Sequence, residues 1–138
     1  MVHTHNFRVT TRGQGDAYDI TNRVATGVDA AALQAGLVTI FVVGSTASIT
    51  TIEFEPGAVQ DFNALLDQLA PRDAEYRHHQ RWHDDNGSSH VRAALLGPSI
   101  TIPFVHGTMA LGEWQQIMLI ELDTRPRDRQ IVVQVIGE

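Results

Sequence analysis

The chain predicts a single α+β domain: a two-sheet β-sandwich of about seven strands with two to three helices packed on one side. Short β-rich apolar runs recur along the whole 138 residues, while only two segments hold a helical period for more than two turns. No linker, repeat or low-complexity tract divides residues 1–138, and that much sheet exceeds what one thin helix layer can cover.

Phe7–Thr11 and Ala17–Ile20 flank the turn Gly13-Gln14-Gly15-Asp16 and read as two short strands. Thr21 is placed to cap a helix from Asn22 to Ala35, with Val24, Val28, Ala31 and Ala32 at helical spacing and Gly36 as the stop. Leu37–Val43 is a continuous apolar run, as expected of a strand buried on both faces. After the turn at Gly44–Ala47, Ser48–Glu55 alternates, putting Ile52 and Phe54 opposite Glu53 and Glu55. Pro56-Gly57 breaks that strand, and Val59–Leu69 carries the stripe Val59, Phe62, Leu65, Leu66 and Leu69 of an amphipathic helix. Ser88 or Ser89 is placed to cap a short helix, Val91–Leu96, closed by Gly97-Pro98. Ile100–Val105, Gln115–Leu122 and Gln130–Ile136 supply the last three strands.

Composition narrows the function. A net charge of −6 argues against a nucleic-acid partner, because a phosphate backbone calls for a basic face. The absence of cysteine excludes disulfides, thiolate catalysis and thiolate zinc sites. The N-terminus has no apolar signal-peptide core, and no run approaches the ~20 apolar residues of a membrane span, so the expected setting is the cytoplasm, away from membranes.

Chemistry concentrates in residues 76–90, which hold four of the seven histidines beside two aspartates, Asn86-Gly87 and two serines. Imidazole and carboxylate are the ligand set of zinc or a similar divalent ion, which makes His78, His83, Asp84 and His90 a candidate cluster, with His78, Asp84 and His90 as the metal ligands, although no compact helical metal motif is present. His79, the neighbour of His78, points to the other side of an extended segment and is left out. The helix start at Asn86–His90 offers amides, hydroxyls and an imidazole to an anion; the alternative is an ordinary serine cap. Arg92 faces another way, toward an acid or a neighbouring chain. Gly44–Ser48 is a hydroxyl-rich turn after a strand, suited to phosphate oxygens but without the lysine of a Walker loop. Glu53, Glu55 and Glu121 read as solvent-facing unless a buried one finds a partner such as arginine. Arg125, Arg127 and Arg129 read as a solvated hairpin, and Trp82 and Trp114 as core or interface anchors.

These segments together resemble the YjbQ family, also called the secondary thiamine-phosphate synthase family. The resemblance is carried by YDITNRV at 18–24, GSTASITTIEFEPG at 44–57, YRHHQRWHDDNGSSHVRAALLGPSITIPF at 76–104, HGTMALGEWQQIMLIELD at 106–123 and RPRDRQIVVQVIGE at 125–138. It implies a homotrimer with polar pockets near the subunit interfaces. It places His78, Asp84, Asn86, His90, Ser45, Thr46, Glu53, Gly107, Gly112, Trp114 and Gln115 in that pocket. Gly44 stands where many members have histidine, Glu113 replaces a small residue or threonine, and His106 replaces Asn or Asp.

The implied activity is that of a thiamine-phosphate synthase, joining a pyrimidine diphosphate to a thiazole phosphate, as a main or a secondary role. The catalytic set would be His78, Asp84, His90 and Glu53, with Ser45, Thr46, Asn86, Ser89, Gly107, Trp114 and Gln115 binding a small phosphorylated molecule. A divalent ion, magnesium or zinc, would serve the departing diphosphate. Two other readings stand beside it: a metal-dependent hydrolase of a small phosphorylated or acyl substrate, and a non-catalytic anion-binding trimer.

Overall fold

The computed structural model describes residues Met1–Glu138. Eight strands and four helices follow in the order β1 (Val2–Thr10), β2 (Ala17–Asp19), α1 (Thr21–Ala31), β3 (Ala35–Val43), β4 (Ala47–Ile52), α2 (Pro56–Leu69), α3 (Arg77–Trp82), α4 (Gly87–Leu96), β5 (Ser99–Val105), β6 (Thr108–Met109), β7 (Gln116–Glu121) and β8 (Asp128–Gly137). They form two antiparallel sheets, β1-β8-β3-β5-β6 and β2-β7-β4, the larger one curled into a half-barrel. No helix is long and apolar enough to cross a membrane.

Strand alternation builds one core between the sheets. Val38, Ile40 and Val42 of β3 and Ile131, Val133 and Val135 of β8 meet Ile49 of β4 and Ile117 and Leu119 of β7, with Val24 and Val28 of α1 packed in. The opposite face of β7, Met118 and Ile120, packs with Leu122 against Leu66 of α2 and Ala93 of α4. The small sheet is thus the middle layer, and β7 is the strand buried on both faces.

β3 is not: Leu37, Phe41 and Val43 stand 51%, 40% and 48% exposed, because nothing in the chain covers the outer face of the larger sheet. The apolar run recorded hydrophobicity on two faces, and only one of them has a partner within the chain.

Local chemistry corrects several boundaries. Thr21 is the first residue of α1 rather than its cap; its hydroxyl bonds Asp19 and accepts from the Ile117 amide, tying the helix to β7. α1 closes at Ala32 in a left-handed conformation, leaving Gly36 inside β3. β4 ends at Ile52, so Glu53 lies beyond it, and Glu55 is the cap of α2, its carboxylate accepting from the Gly57 and Ala58 amides with Pro56 in the first turn. Those two bonds hold the exposed Glu55 carboxyl below its ordinary pKa. In α2 only Leu66 of the expected stripe is fully buried; Leu65 and Leu69 face outward. α4 starts earlier than expected, at Gly87, so Ser88 and Ser89 are buried in its first turn and do not cap it. Arg92 is buried and ties α4 to the end of α2 by donating to Ala70 O and Asp67.

Candidate functional site

Three chain segments meet in an open basin of about 530 Å³: the β3–β4 turn, the stretch from α3 into α4, and the connection from β7 to β8 that crosses between the sheets. Trp82 is the one apolar side chain among its lining residues.

Its floor is a buried ion network. Glu121, at the end of β7, is fully buried and accepts from Thr11 Oγ1 at 2.7 Å, Arg129 Nε at 2.8 Å and the Asp123 amide at 3.0 Å. Arg129 Nη2 also donates to Glu121, and to the carbonyl and hydroxyl of Thr46 at 3.0 and 2.7 Å. Burying either charge alone would cost several kcal/mol, so each fixes the other. Arg129 is 5% exposed, and its Nη1 has no protein acceptor. That nitrogen lies 2.7 Å from where a Cβ on residue 44 would sit, and Gly44 has φ +150°. A side chain at 44 would displace the guanidinium, which gives a physical meaning to the glycine at this position.

Beside this pair, Asp123 is fully buried and accepts from Thr46 Oγ1 at 3.0 Å and Arg127 Nε at 2.9 Å. Burial alone would raise the Asp123 pKa, but the bonds from Thr46, the Thr124 amide and Arg127 outweigh it and hold the carboxyl below its usual value. Asp123 is therefore ionised, and its charge is matched by Arg127.

The opposite wall carries the histidines. His78 Nδ1 lies 2.9 Å from Asp84 Oδ1, and the His78 and His90 rings are 4.5 Å apart between centroids. The Asn86 amide, oriented to satisfy both groups, donates to Asp84 Oδ2 at 3.2 Å. Asp84 is thus held from two sides and fixes the orientation of the His78 ring. Burial, and then the charge of His78, push the His90 pKa below the ordinary histidine value, against the pull of Asp123 and Asp84. His79 instead braces the start of α4. Its Nε2 accepts from the Gly87 amide at 2.8 Å, and a Cβ on Gly87 would lie 2.4 Å from that of Tyr76.

Ser45, Thr46, His78, Asp84, Asn86 and His90 therefore converge, and Trp82, 63% exposed, joins them as a rim rather than a core residue. Ser89 is buried in α4 with its hydroxyl unpartnered and does not line the basin. Glu53, Gly112, Trp114 and Gln115 lie at the far end of the small sheet, where Gln115 bonds the Gly112 amide and Thr51. Six residues of β4 separate them from Thr46, about 20 Å at the rise of a strand. Gly107 lies in another cleft, with Thr108 and Met109 against α1.

Asp123, Arg127 and Arg129 were absent from the expected site. The solvated-hairpin reading holds for the exposed Arg125, but Arg127 and Arg129 line the basin. Arg127 and Arg129 alternate after the β7–β8 connection as Glu121 and Asp123 do before it, a matched pattern of charge that marks ion pairing across the connection.

The metal expectation fits this donor set poorly. No group of three His, Asp or Glu side chains is arranged to hold an ion: Asp84 is bonded to His78, and Asp123 is bonded to Arg127 and Thr46.

The family model described as UPF0047 protein YjbQ-like matches residues 5–138. A UPF0047 protein of Methanothermobacter thermautotrophicus is 36% identical over 137 residues, covering 99% of this chain and 94% of its own. A crystal structure of a YbjQ-like protein of unknown function from Sulfolobus solfataricus superposes with a TM-score of 0.89 at 28% identity, covering 100% of both chains. An uncharacterised YjbQ/UPF0047 family protein from Clostridium acetobutylicum gives 0.83 at 31% identity, covering 94% of this chain and 99% of its own.

Proposed function

The chain belongs to the YjbQ-like UPF0047 family, and we propose that its basin binds a small phosphorylated molecule and promotes a transfer of the thiamine-phosphate synthase type. The observation that carries this reading is Arg129: a buried guanidinium, locked by Glu121 and Thr46, whose remaining nitrogen lines the basin without a protein acceptor. A fixed donor of that kind stabilises charge that appears on a departing diphosphate, with no reorganisation at the moment of reaction. Arg127, the Ser45 hydroxyl and the β3–β4 turn supply further donors around it.

In this reading the thiazole nitrogen attacks the pyrimidine methylene carbon as the C–O bond to diphosphate breaks. The nucleophile is part of the substrate, so no covalent residue is needed. The His78–Asp84 pair leaves the second ring nitrogen of His78 to donate a proton to the departing oxygen. That same pair favours one alternative, hydrolysis, in which it activates water; free pyrimidine alcohol instead of joined product distinguishes the two. Ligand stabilisation without turnover would mark a non-catalytic anion-binding protein.

Calorimetric titration with pyrophosphate tests the reading. His90 starts with a depressed pKa and faces His78, Asp84, Asp123 and the arginines, so it is neutral at pH 8. A bound anion raises that pKa, so binding takes up a proton and affinity strengthens as pH falls from about 8 toward 6, until pyrophosphate itself is protonated. A metal-held ligand would give the reverse trend with magnesium present, since protons compete for its ligands. Weak, pH-independent binding with and without magnesium would overturn the phosphate reading.

The proposed assembly is a homotrimer. Its support is the family resemblance together with the outward row Leu37, Phe41, Val43, Val105 and Ile136, an apolar sheet face that a lone chain leaves in water. Assembly is also the route by which Glu53, Trp114 and Gln115 would reach a basin, that of a neighbour. Sedimentation at micromolar concentration should give the mass of three chains, and a single-chain mass would refute the trimer.

A further inference from the structure

A cleft of about 270 Å³ lies between α1 and the β5–β6 hairpin, and none of its lining residues belongs to the charged basin. Its floor is apolar. Val28 is buried and Ala25 half-buried on the helix side, and Met109 and Leu111 pack on the main core from the other wall. Asp29 stands on the rim, exposed, in the last turn of α1. Its carboxylate pairs with no cation of the chain, and no basic residue stands in that turn. The last carbonyls of a helix direct partial negative charge to the same end, so an acid there is unfavourable until a cation joins it.

We propose that this cleft is a second binding site, for a small organic ammonium ion: a compact hydrocarbon body lies on Val28, Met109 and Leu111, and a primary ammonium pairs with Asp29 in the negative potential at the end of α1. The site stands whether or not the basin binds phosphate. An anion is excluded, because the cleft offers no positive group and Asp29 repels one. A neutral hydrocarbon would fill the floor and leave the carboxylate unmatched. A bare metal ion would find a single carboxylate, too few ligands to hold it. The volume falls just under the ~300–1,000 Å³ of ordinary ligand pockets, which limits the body to one ring or a short branched chain.

Methyl NMR read at Val28 and Met109 tests this with three probes: cyclohexylmethylammonium, cyclohexylmethanol and methylammonium. The first should shift both residues saturably. The alcohol should bind about fivefold more weakly, the worth of one exposed ion pair at a helix end. Methylammonium should bind about tenfold more weakly or worse, for want of a ring to bury. Asp29→Asn should bring the cyclohexyl ammonium ion down to the affinity of the alcohol. Ala25→Leu, a change that a helix accepts and that fills the cleft, should remove binding of both. Absence of saturable shifts overturns the site. Equal affinity for ammonium ion and alcohol, or an Asp29→Asn protein that binds the ammonium ion as the wild type does, overturns the cation assignment. Binding that survives Ala25→Leu puts the probe elsewhere and overturns the assignment to this cleft. If the leucine variant fails to fold, the Asp29→Asn comparison decides alone.

Discussion

Arg129→Met is expected to destabilise the chain by about 3–5 kcal/mol, the cost of leaving a buried carboxylate without its partner. Glu121 is fully buried, and its other donors, Thr11 and the Asp123 amide, are neutral. Losing the guanidinium also removes one of two donors to the Thr46 carbonyl, which keeps the Leu122 amide. Adding Glu121→Gln should restore most of the loss, because a neutral amide of the same shape needs no counter-charge. Urea denaturation of both variants reads this. A single variant within about 1 kcal/mol of the wild type, against the size expected for a buried pair, would show that water reaches Glu121 and that the floor of the basin is not sealed.

His78→Gln is expected to lower formation of the joined product by about 10²–10⁴, the usual worth of a positioned acid or base. Its side chain is only partly buried, 29% exposed, and Asp84 keeps Asn86 as a partner, so the fold should survive. Pyrophosphate affinity should fall by much less, since the proposed reading assigns the anion to the arginines and the turn. Chromatographic separation of joined product from free pyrimidine alcohol measures the rate and identifies the reaction. Unchanged turnover would remove His78 from proton transfer. A selective loss of the alcohol, with the joined product absent in both proteins, would assign the dyad to hydrolysis.

Seven of the eight strands and three of the four helices follow from alternation, helical period and the Gly/Pro breaks. β6, two residues long, is too short to have a period, and α3 carries a tryptophan whose exposure leaves no apolar stripe. Reading α3 as extended put His78 and His79 on opposite sides for the wrong reason; on a helix they diverge by about 100°, one to the basin and one to the α4 start.

The histidine wall was legible because four imidazoles in fifteen residues are hard to explain as solvated loop. The arginine wall was not. A charged side chain in a strand is exposed by default, and only the fold shows that β8 carries Arg129 behind the Gly44 turn, against the end of β7. Glu121 did meet the condition attached to a buried acid, a partnering arginine.

The proposed anion binding turns on Arg129 presenting a fixed guanidinium nitrogen to the ligand. Pyrophosphate calorimetry on the Arg129→Met/Glu121→Gln double variant, once shown to be folded, tests this most directly. The expected result is binding at least about tenfold weaker than the wild type, the loss that goes with a charge-assisted hydrogen bond. A folded double variant that binds pyrophosphate as tightly as the wild type would contradict it.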